Sequence, residues 1–342
     1  MQDKYRVAIV GLGRMGSTID NETPADSPPV SVAGACHGSE RLRVVSGADI
    51  DAAKRQAFSE RWGVTAVYDD YLEMIREEEP DIVAICTRGV LHADMTVKTA
   101  EAGVTMIYCE KAMACSMVEA DAVLEALESR GVHYNTGVLR RFDDRYHQAR
   151  RMIEAGEIGK PQAAVHYSSS SILHGHIHSI DTLSFLLGDP AIESIWGELA
   201  PRELTVVDNR LDKDPSAIYQ LTFEGGIAAT TIPAGTWEFE IIGPLGSIRT
   251  LNNGAGLSLR KASAEGQRDL REVACPDVER RSATRNSLED LVRAHEQGSQ
   301  TLGNVSLTHH ITEACFAAVE SHRVGHRVAL PMSNRSLYVF HV

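Results

Sequence analysis

The stretch Tyr5-Arg6-Val7-Ala8-Ile9-Val10-Gly11-Leu12-Gly13-Arg14-Met15-Gly16 decides the fold. Its first half is short, apolar and rich in β-branched residues, which predicts a strand. The glycines follow at G-x-G-x-x-G spacing, where a helix could begin. A strand that ends in this way seats a dinucleotide pyrophosphate against backbone N–H groups and the positive end of a helix dipole.

Each residue of this turn has an expected part in binding the cofactor. Gly11 permits the tight turn, and Gly13 has no side chain to block the phosphates. Gly16 lets the helix pack close to the strand. Arg14 and Met15 lie between these glycines, so we expect them at the cofactor as well.

An acidic residue ends the next predicted strand, which covers residues 42–49. Asp49 there would accept hydrogen bonds from the adenosine ribose hydroxyls, with Ile50 beside it. Asp49 lies further from Gly16 than the usual distance of about 20 residues. The intervening residues 21–32 contain three prolines and several polar residues, which indicates an inserted loop.

The same position indicates which nicotinamide cofactor is used. Asp49 would repel a 2′-phosphate, and Ile50 offers nothing to bind one. Lys54 and Arg55 lie a turn further on. The sequence therefore favours NAD, with NADP as the less favoured form.

Composition excludes several classes of protein. The chain has 342 residues, which suggests two domains, and its formal net charge of −13 argues against a nucleic-acid partner. No run of 18 or more apolar residues predicts a membrane span, and the N-terminus lacks the apolar core of a signal peptide. The six cysteines are scattered without a C-x-x-C pair, as in a reduced, cytoplasmic protein.

Patterning predicts two different halves. Strand and helix patterns alternate up to about residue 138, which predicts an α/β domain with a doubly wound parallel sheet over residues 1–138. Its helices are predicted at 51–62, 69–79, 92–102 and 116–130, the last with Ser116 as N-cap and Glu119 completing a capping box. Residues 139–342 instead contain a strand-like run at 160–169 and several runs suited to an antiparallel sheet, at 192–199, 217–224, 226–233, 237–243 and 246–251. Helices are predicted at 145–155, 177–187, 281–297 and 306–322. The second domain is therefore expected to be α+β, with a mostly antiparallel open sheet, and its two late helices could pack on either domain.

Candidate catalytic residues follow two strands of the first domain. Lys111 comes directly after the predicted strand 104–109, at the sheet edge where ligands of open α/β folds bind. It could bind a substrate hydroxyl and move its proton, and Glu110 could receive the nicotinamide ribose or orient the lysine. A surface ion pair explains the two residues equally well. Thr87 and His92 follow another strand, and we expect them to line the cofactor cleft.

A second cluster is His174-Gly175-His176-Ile177-His178-Ser179-Ile180-Asp181. On an α-helix, His174, His178 and Asp181 share one face, and His176 points elsewhere. Three interpretations stay open: a metal site, a histidine acid–base held by a carboxylate, or polar residues with a structural role. Three histidines within five residues favour a functional site.

Two further residues are weaker candidates for substrate binding. Arg141 follows the sixth predicted strand and could hold an anionic or polyhydroxyl substrate, although an interdomain salt bridge explains it better. Trp237 could stack on a sugar ring or simply belong to the core.

These motifs together resemble the Gfo/Idh/MocA oxidoreductases, the group of glucose–fructose oxidoreductase and inositol dehydrogenase. The similarity rests on the glycine turn, Leu91-His92-Ala93-Asp94-Met95, Cys109-Glu110-Lys111-Ala112-Met113-Ala114, Arg140-Arg141-Phe142-Asp143 and His178-Ser179-Ile180-Asp181-Thr182-Leu183. It implies an N-terminal Rossmann domain and a C-terminal domain whose open sheet often forms oligomer contacts.

The resemblance also implies roles for individual residues. Lys111 falls on the lysine of the family's E-K-P motif, and His178 falls on the histidine of its D-x-x-x-H motif. The chain departs from the family at two positions: Ala112 replaces the usual proline, and His174 replaces the usual aspartate. Lys111, His178 and His174 are therefore the expected catalytic residues, and with Arg141 and Trp237 they are the expected substrate-binding residues.

The expected function is an NAD(P)-dependent oxidoreductase that transfers a hydride between nicotinamide and a hydroxyl or carbonyl carbon of a sugar, cyclitol or related polyol. The expected partners are a carbohydrate-like substrate, placed between the domains, and further copies of the chain in a dimer or tetramer. Two alternatives stay open: a glycoside-cleaving enzyme that recycles its NAD, and a non-catalytic NAD-binding sensor. A metal-dependent enzyme that uses His174, His178 and Asp181 is a third, although the expected site contains no metal.

Overall fold

The computed structural model describes residues 4–262 and 269–341, and the chain in it divides into two compact units. The first unit contains Met1–Phe142, Arg281–His309 and His341–Val342, and the second contains Asp143–Arg280 and His310–Phe340. The division after Phe142 lies close to the expected boundary. The return of residues 281–309 to the first unit differs from the expected pair of consecutive domains.

The first unit contains a six-stranded parallel sheet with the strand order β3-β2-β1-β4-β5-β6. This order runs outward from β1 in both directions, which is the doubly wound arrangement that the alternating pattern predicts. Its strands are β1 Tyr5–Val10, β2 Leu42–Ala48, β3 Val67–Tyr68, β4 Ile82–Ile85, β5 Met106–Cys109 and β6 His133–Thr136. Every residue of β4 and β5 is buried, as in a strand covered on both faces.

Four of the helices between these strands correspond to predicted ones, with ends that differ by at most three residues. The helices are α1 Val32–His37, α2 Ala52–Trp62, α3 Tyr71–Glu78, α4 Gly89–Glu101 and α5 Met117–Glu128. The Ser116 hydroxyl accepts the N–H of Glu119 at the start of α5, as expected, and the Glu119 carboxylate accepts the N–H of Cys115. Gly63 ends α2 with a φ of +69°, a conformation that glycine adopts without strain.

A network of buried polar groups joins the returning segment to the first sheet. The Asn135 amide on β6 donates to the Ser287 carbonyl at 2.9 Å and to the Asp290 carboxylate at 3.1 Å, and its oxygen accepts the N–H of Gly303. Ser287 and Asp290 lie on α8, Ala283–Gln297, and Leu288, Leu291 and Val292 of that helix belong to the apolar core. This core explains why the late amphipathic helix belongs to the first unit.

The second unit is built on a ten-stranded mixed sheet. Only the pairing of β7 with β12 is parallel among its described strand pairs, so the sheet is mostly antiparallel, as expected. Its strands are β7 Ala163–Tyr167, β8 Ser170–Ser171, β9 Ile192–Ala200, β11 Ser216–Phe223, β12 Ile227–Ile232, β13 Glu238–Gly243, β14 Gly246–Leu251, β15 Gly256–Ala262, β16 Leu270–Val273 and β17 Val328–Ala329. The strands β8, β15, β16 and β17 have no counterpart among the predicted runs.

The remaining elements complete the chain. A separate pair joins β10, Arg210–Leu211, to β18, Tyr338–Val339. The helices are α6 Asp144–Glu154, α7 Ile177–Leu187 and α9 Val305–Val324. In the part of the chain that the structure describes, no helix combines the length and the apolar character needed to cross a bilayer.

Candidate active site

The glycine turn follows β1 directly, and its three glycines differ in what surrounds them. Gly11 has a φ of +88°, and a Cβ built on it would lie 2.7 Å from the Cys86 carbonyl oxygen. A Cβ on Gly16 would lie 2.1 Å from the Gly11 oxygen. A Cβ on Gly13 would meet nothing within 4 Å. The protein itself therefore requires glycine at 11 and 16, whereas the open space at Gly13 leaves room for a bound group such as a pyrophosphate.

The helix expected after this turn is interrupted. Residues Arg14–Thr18 form a π-helical turn and Ile19–Glu22 a 3-10 turn, and α1 begins only at Val32. The Asp20 carboxylate accepts the N–H groups of Val30 and Ser31, at 2.6 and 3.0 Å. Asp20 thus closes the loop that the prolines of this region predict.

Asp49 follows β2 and lies beside the glycine turn. One carboxylate oxygen accepts the N–H of Leu12 at 2.9 Å, and the other accepts the N–H of Asp51 at 3.0 Å. Lys54 lies 3.8 Å from it, and the next residue, Ile50, is 92% exposed. Because each carboxylate oxygen has two lone pairs, Asp49 retains acceptor capacity for the ribose hydroxyls. An open turn and an adjacent carboxylate fit a dinucleotide.

Arg14 and Met15 differ in exposure. The exposed Arg14 guanidinium forms a two-bond ion pair with Glu22, at 2.7 and 2.6 Å, and the hydrogen bonds of this pair raise the pKa of Arg14. Met15 is half-buried. Glu22 lies at the start of the inserted loop, so this pair is a feature that the glycine motif alone does not predict.

The carboxyl ends of β4 and β5 carry the next candidates. His92 lies inside the first turn of α4 and is buried, with Nδ1 2.7 Å from the Ala112 oxygen and Nε2 3.1 Å from the Thr87 oxygen. Burial lowers its pKa. The imidazole thus links the end of β4 to the turn that carries Lys111, and its expected contact with a cofactor stays a prediction. The Thr87 hydroxyl contacts the Met95 sulfur at 3.5 Å.

Lys111 is half-buried in the turn after β5, and its peptide bond to Ala112 is cis. Glu110 before it is buried and accepts a hydrogen bond of 2.5 Å from the Tyr108 hydroxyl. A Cβ on Gly137 would lie 2.4 Å from a Glu110 oxygen, so this glycine makes room for the carboxylate. Burial raises the pKa of Glu110. Of the two roles expected for Glu110, this packing favours orienting Lys111 over contacting the nicotinamide ribose.

The helix predicted at 177–187 is confirmed as α7, and it begins after His174 and His176. Residues Ile172–His176 form a π-helical turn, and α7 begins at Ile177. The hydrogen bonds of a π-helix span five residues, so the α-helical spacing of His174 over His178 does not apply through this turn. His174 is exposed, His178 is half-buried and Asp181 is buried. Over residues 4–262 and 269–341, no group of three or more His, Cys, Asp or Glu side chains could hold a metal ion, which gives the metal alternative no support.

His176, which the helical spacing set apart, is the most embedded histidine of this segment. Its Nε2 donates to the Ala217 oxygen at 2.8 Å, and its Nδ1 lies 3.1 Å from the Ser179 hydroxyl. The Tyr219 hydroxyl extends this chain of contacts to Ser179 at 2.7 Å. Because Nε2 faces a carbonyl, it carries the proton of a neutral ring. Burial lowers the pKa of His176 to about 4, so its role is to anchor the segment.

The two weaker substrate-binding candidates are placed very differently. Trp237 is half-buried in the second unit, its ring centroid is 4.9 Å from that of His166, and its ring lies 3.3 Å from where a Cβ of Gly175 would be. The tryptophan therefore lies beside the histidine segment. Arg141 is 1% exposed in the first unit, where it donates to the Leu302 oxygen at 3.5 Å. That burial favours a structural role, and substrate binding by Arg141 stays a prediction.

Comparison with known proteins agrees with this arrangement. Residues 5–138 match the model of the oxidoreductase family with an NAD-binding Rossmann fold, GFO_IDH_MocA. The scyllo-inositol 2-dehydrogenase (NAD(+)) of Bacillus subtilis is 30% identical over 268 residues, which cover 72% of this chain and 74% of the relative. The inositol 2-dehydrogenase of Salmonella typhimurium is 28% identical over 197 residues, or 54% of this chain and 55% of the relative.

Two solved structures have the same fold. The aldose-aldose oxidoreductase of Caulobacter crescentus, complexed with glycerol, has a TM-score of 0.77 at 18% identity and covers 96% of this chain and all of its own. An oxidoreductase of Agrobacterium radiobacter, in complex with NAD⁺, L-tartaric acid and magnesium, has a TM-score of 0.75 at 17% identity, with 96% of this chain and 98% of its own covered. With its glycine turn, its lysine after β5 and these relatives, the chain belongs to the Gfo/Idh/MocA family of oxidoreductases.

Proposed function

We propose that this chain is an NAD-dependent dehydrogenase that oxidises a secondary hydroxyl of a cyclitol or a related sugar. The observation that carries the proposal is the position of Lys111 directly after β5, at the same edge of the parallel sheet as the glycine turn after β1. β4 lies between these two strands, and its extension at Cys86 contacts Gly11. The substrate class is carried over from the inositol dehydrogenases among the relatives.

Binding of the cofactor is assigned to the residues of the first unit. The open space at Gly13 receives the pyrophosphate, and the Asp49 carboxylate accepts the ribose hydroxyls. The 2′-phosphate of NADP would lie close to the Asp49 carboxylate, and the two negative groups would repel each other. We therefore propose NAD as the cofactor. When bound, the nicotinamide supplies a hydride acceptor.

Proton transfer is assigned to Lys111. As hydride leaves the carbon, the hydroxyl must lose its proton, and a neutral Lys111 accepts it at Nζ. Two residues hold the turn that carries Lys111. His92 contacts the Ala112 carbonyl after the lysine, and Glu110 before the lysine accepts a hydrogen bond from the Tyr108 hydroxyl. The half-buried His178 and the exposed His174 of the second unit are proposed as groups that bind the substrate hydroxyls and assist the transfer.

The alternatives proposed from sequence are not favoured. The relatives carry dehydrogenase and oxidoreductase names, which support neither a glycoside-cleaving enzyme nor a sensor without chemistry. A dehydrogenase produces net NADH, whereas an enzyme that recycles its cofactor releases product without it. Absorbance at 340 nm therefore separates the two directly.

The central test measures NADH formation with a panel of inositol isomers and aldoses. We expect turnover with NAD and at least one cyclitol, and a loss of about 100-fold to 10,000-fold in kcat for Lys111→Ala, which is the usual contribution of a positioned general base. Lys98→Ala is the matched control, because Lys98 is an exposed lysine of α4 paired with Asp94. Full turnover by Lys111→Ala with unchanged NAD binding would remove the lysine from its assigned role.

Assembly into a homo-oligomer is a further part of the proposal. One face of the second sheet has half-buried apolar side chains on β7, β11 and β13, among them Val165, Ile218 and Ile242. A second copy of the chain would cover such a face. Sedimentation equilibrium is expected to give a dimer or tetramer, and a monomer at micromolar concentration would contradict it.

A further inference from the structure

One short stretch of chain, residues 214–217, runs along the histidine segment and binds it at several points. Ser216 and Ala217 at the start of β11 pair with β8. The Pro215 carbonyl accepts the N–H of Ile172 at 2.9 Å. The Ala217 carbonyl accepts a hydrogen bond from Nε2 of the His176 ring. These contacts involve both ends of the π-helical turn and the strand before it, so residues 214–217 fix the path of residues 170–176.

Asp214 makes the most directional of these contacts. Its two carboxylate oxygens accept two consecutive backbone N–H groups, from Leu173 at 2.9 Å and from His174 at 2.7 Å. Both bonds are charge-assisted, which makes them shorter and stronger than bonds between neutral groups. Both also lie in the first turn of a helical segment, where backbone N–H groups have no partner within the helix.

The two contacts use both oxygens of the Asp214 carboxylate, one for each N–H group. An amide in the same orientation would keep one of the two acceptor oxygens, present an NH₂ donor to the other N–H group, and lose the charge that strengthens both bonds. An alanine would satisfy neither. The orientation of the peptide units that carry Leu173 and His174 therefore depends on the charge and the two oxygens of Asp214.

We infer that Asp214 is a positioning residue for the reaction: it fixes the backbone of His174 and, through the turn that follows, the entry of His178 into α7. This inference rests on the proposed function, since it gives these histidines their place at the substrate. Asp214 itself acts through the backbone of the segment. Its distance of 40 residues from His174 along the chain hides it from any motif.

Backbone hydrogen exchange tests the contact without any need for turnover. Asp214→Asn keeps the size of the side chain, and Asp214→Ala removes it. The control is Asp212→Asn, which makes the same charge change at an exposed carboxylate whose hydrogen bond is to Arg210. We expect the amides of residues 172–176 to exchange about tenfold faster in both Asp214 variants, with no change in the control. Unchanged exchange in Asp214→Asn would overturn the inference.

Kinetics at saturating NAD separate positioning from simple loss of folded protein. A variant that only unfolds more easily lowers the apparent kcat through its active fraction and leaves KM unchanged. A displaced histidine segment instead raises KM for the polyol, and we expect an increase of about tenfold in Asp214→Asn. A lower kcat at constant KM that equals the loss of folded protein would contradict the positioning role. NAD binding, measured by calorimetry, is expected to match that of the parent protein, because Asp214 belongs to the second unit.

The two proposals fail in different ways. If the parent chain binds NAD and oxidises no polyol, the proposed function is wrong, and the exchange experiment still decides whether Asp214 holds the segment. If the parent chain is active and both measurements on Asp214→Asn are unchanged, the function stands and the inference falls. If Asp214→Ala does not fold, Asp214→Asn alone carries the comparison.

Discussion

Replacing single glycines of the turn by alanine separates cofactor binding from folding. The methyl group of Gly16→Ala would lie 2.1 Å from the Gly11 oxygen and 3.2 Å from the Ile9 side chain, both within the first unit. Something must shift, and overpacking of this kind typically costs about 1–3 kcal/mol. The methyl group of Gly13→Ala would meet no protein atom within 4 Å. We therefore expect Gly13→Ala to change the free energy of unfolding by less than about 1 kcal/mol.

Gly13→Ala, which is expected to be the less destabilised of the two variants, is expected to lose NAD affinity. A methyl group in the open space would keep a pyrophosphate from the backbone N–H groups, and a hydrogen bond to a charged group is worth about 1.5–3 kcal/mol. Loss of one such bond weakens binding by roughly tenfold to 150-fold, since about 1.4 kcal/mol corresponds to a factor of ten.

Urea unfolding and calorimetry with NAD measure the two quantities on the same samples. Ser59→Ala is a matched control, because this residue lies on α2, away from the glycine turn in sequence, and receives the same small methyl side chain. NAD affinity of Gly13→Ala equal to that of the parent would refute the assignment of the open space to the pyrophosphate. A loss of stability in Gly13→Ala equal to that in Gly16→Ala would show that the space serves the fold.

Three further predictions follow from buried groups. Asn135→Ala removes three hydrogen bonds between β6 and the returning segment. At roughly 1 kcal/mol for each bond, we expect the free energy of unfolding, measured in urea, to fall by about 3 kcal/mol. A decrease below about 1 kcal/mol would contradict the role of this network. The pKa of His176 is lowered to about 4 in the folded chain, so the unfolded chain binds the extra proton first. Stability is therefore expected to fall as pH drops from about 6.5 towards 4, and a His176→Gln variant is expected to show a shallower pH dependence in the same range. Asp49→Ser removes the charge that opposes a 2′-phosphate, and the ratio of kcat/KM for NAD over NADP is expected to fall at least about tenfold; an unchanged ratio would place cofactor choice elsewhere.

The local features of the first unit could be predicted because each depends on residues close together in sequence. β1, the glycine turn and Lys111 are signalled by short runs of apolar residues and glycines. In the second unit, the strand β14 was predicted at its observed bounds, 246–251, for the same reason. The α5 start was predicted from Ser116 and Glu119, which are three residues apart. In each case the physical cause lies within one turn or one strand.

The missed features depend on residues that are distant along the chain. The membership of α8 in the first unit rests on Asn135, more than 150 residues away from Asp290, and amphipathic patterning alone left the two domains equally possible. The π-helical turn at Ile172–His176 rests on contacts with residues 214–217. The shared face of His174 and His178 requires α-helical geometry through residue 174, and the tertiary contacts give the chain a π-helical turn there.

The histidine at position 174 and the carboxylate at 214 are related by charge. The Asp214 oxygens lie within 2.9 Å of the backbone nitrogens of Leu173 and His174, so a side chain at 174 begins next to a negative group. An aspartate there, as the family pattern has it, would place a second carboxylate close to the first, and two such groups raise each other's pKa. An imidazole avoids that repulsion. The replacement of the family's aspartate by His174 therefore fits a segment whose backbone already binds the negatively charged Asp214. The absence of that aspartate does not by itself argue against catalysis.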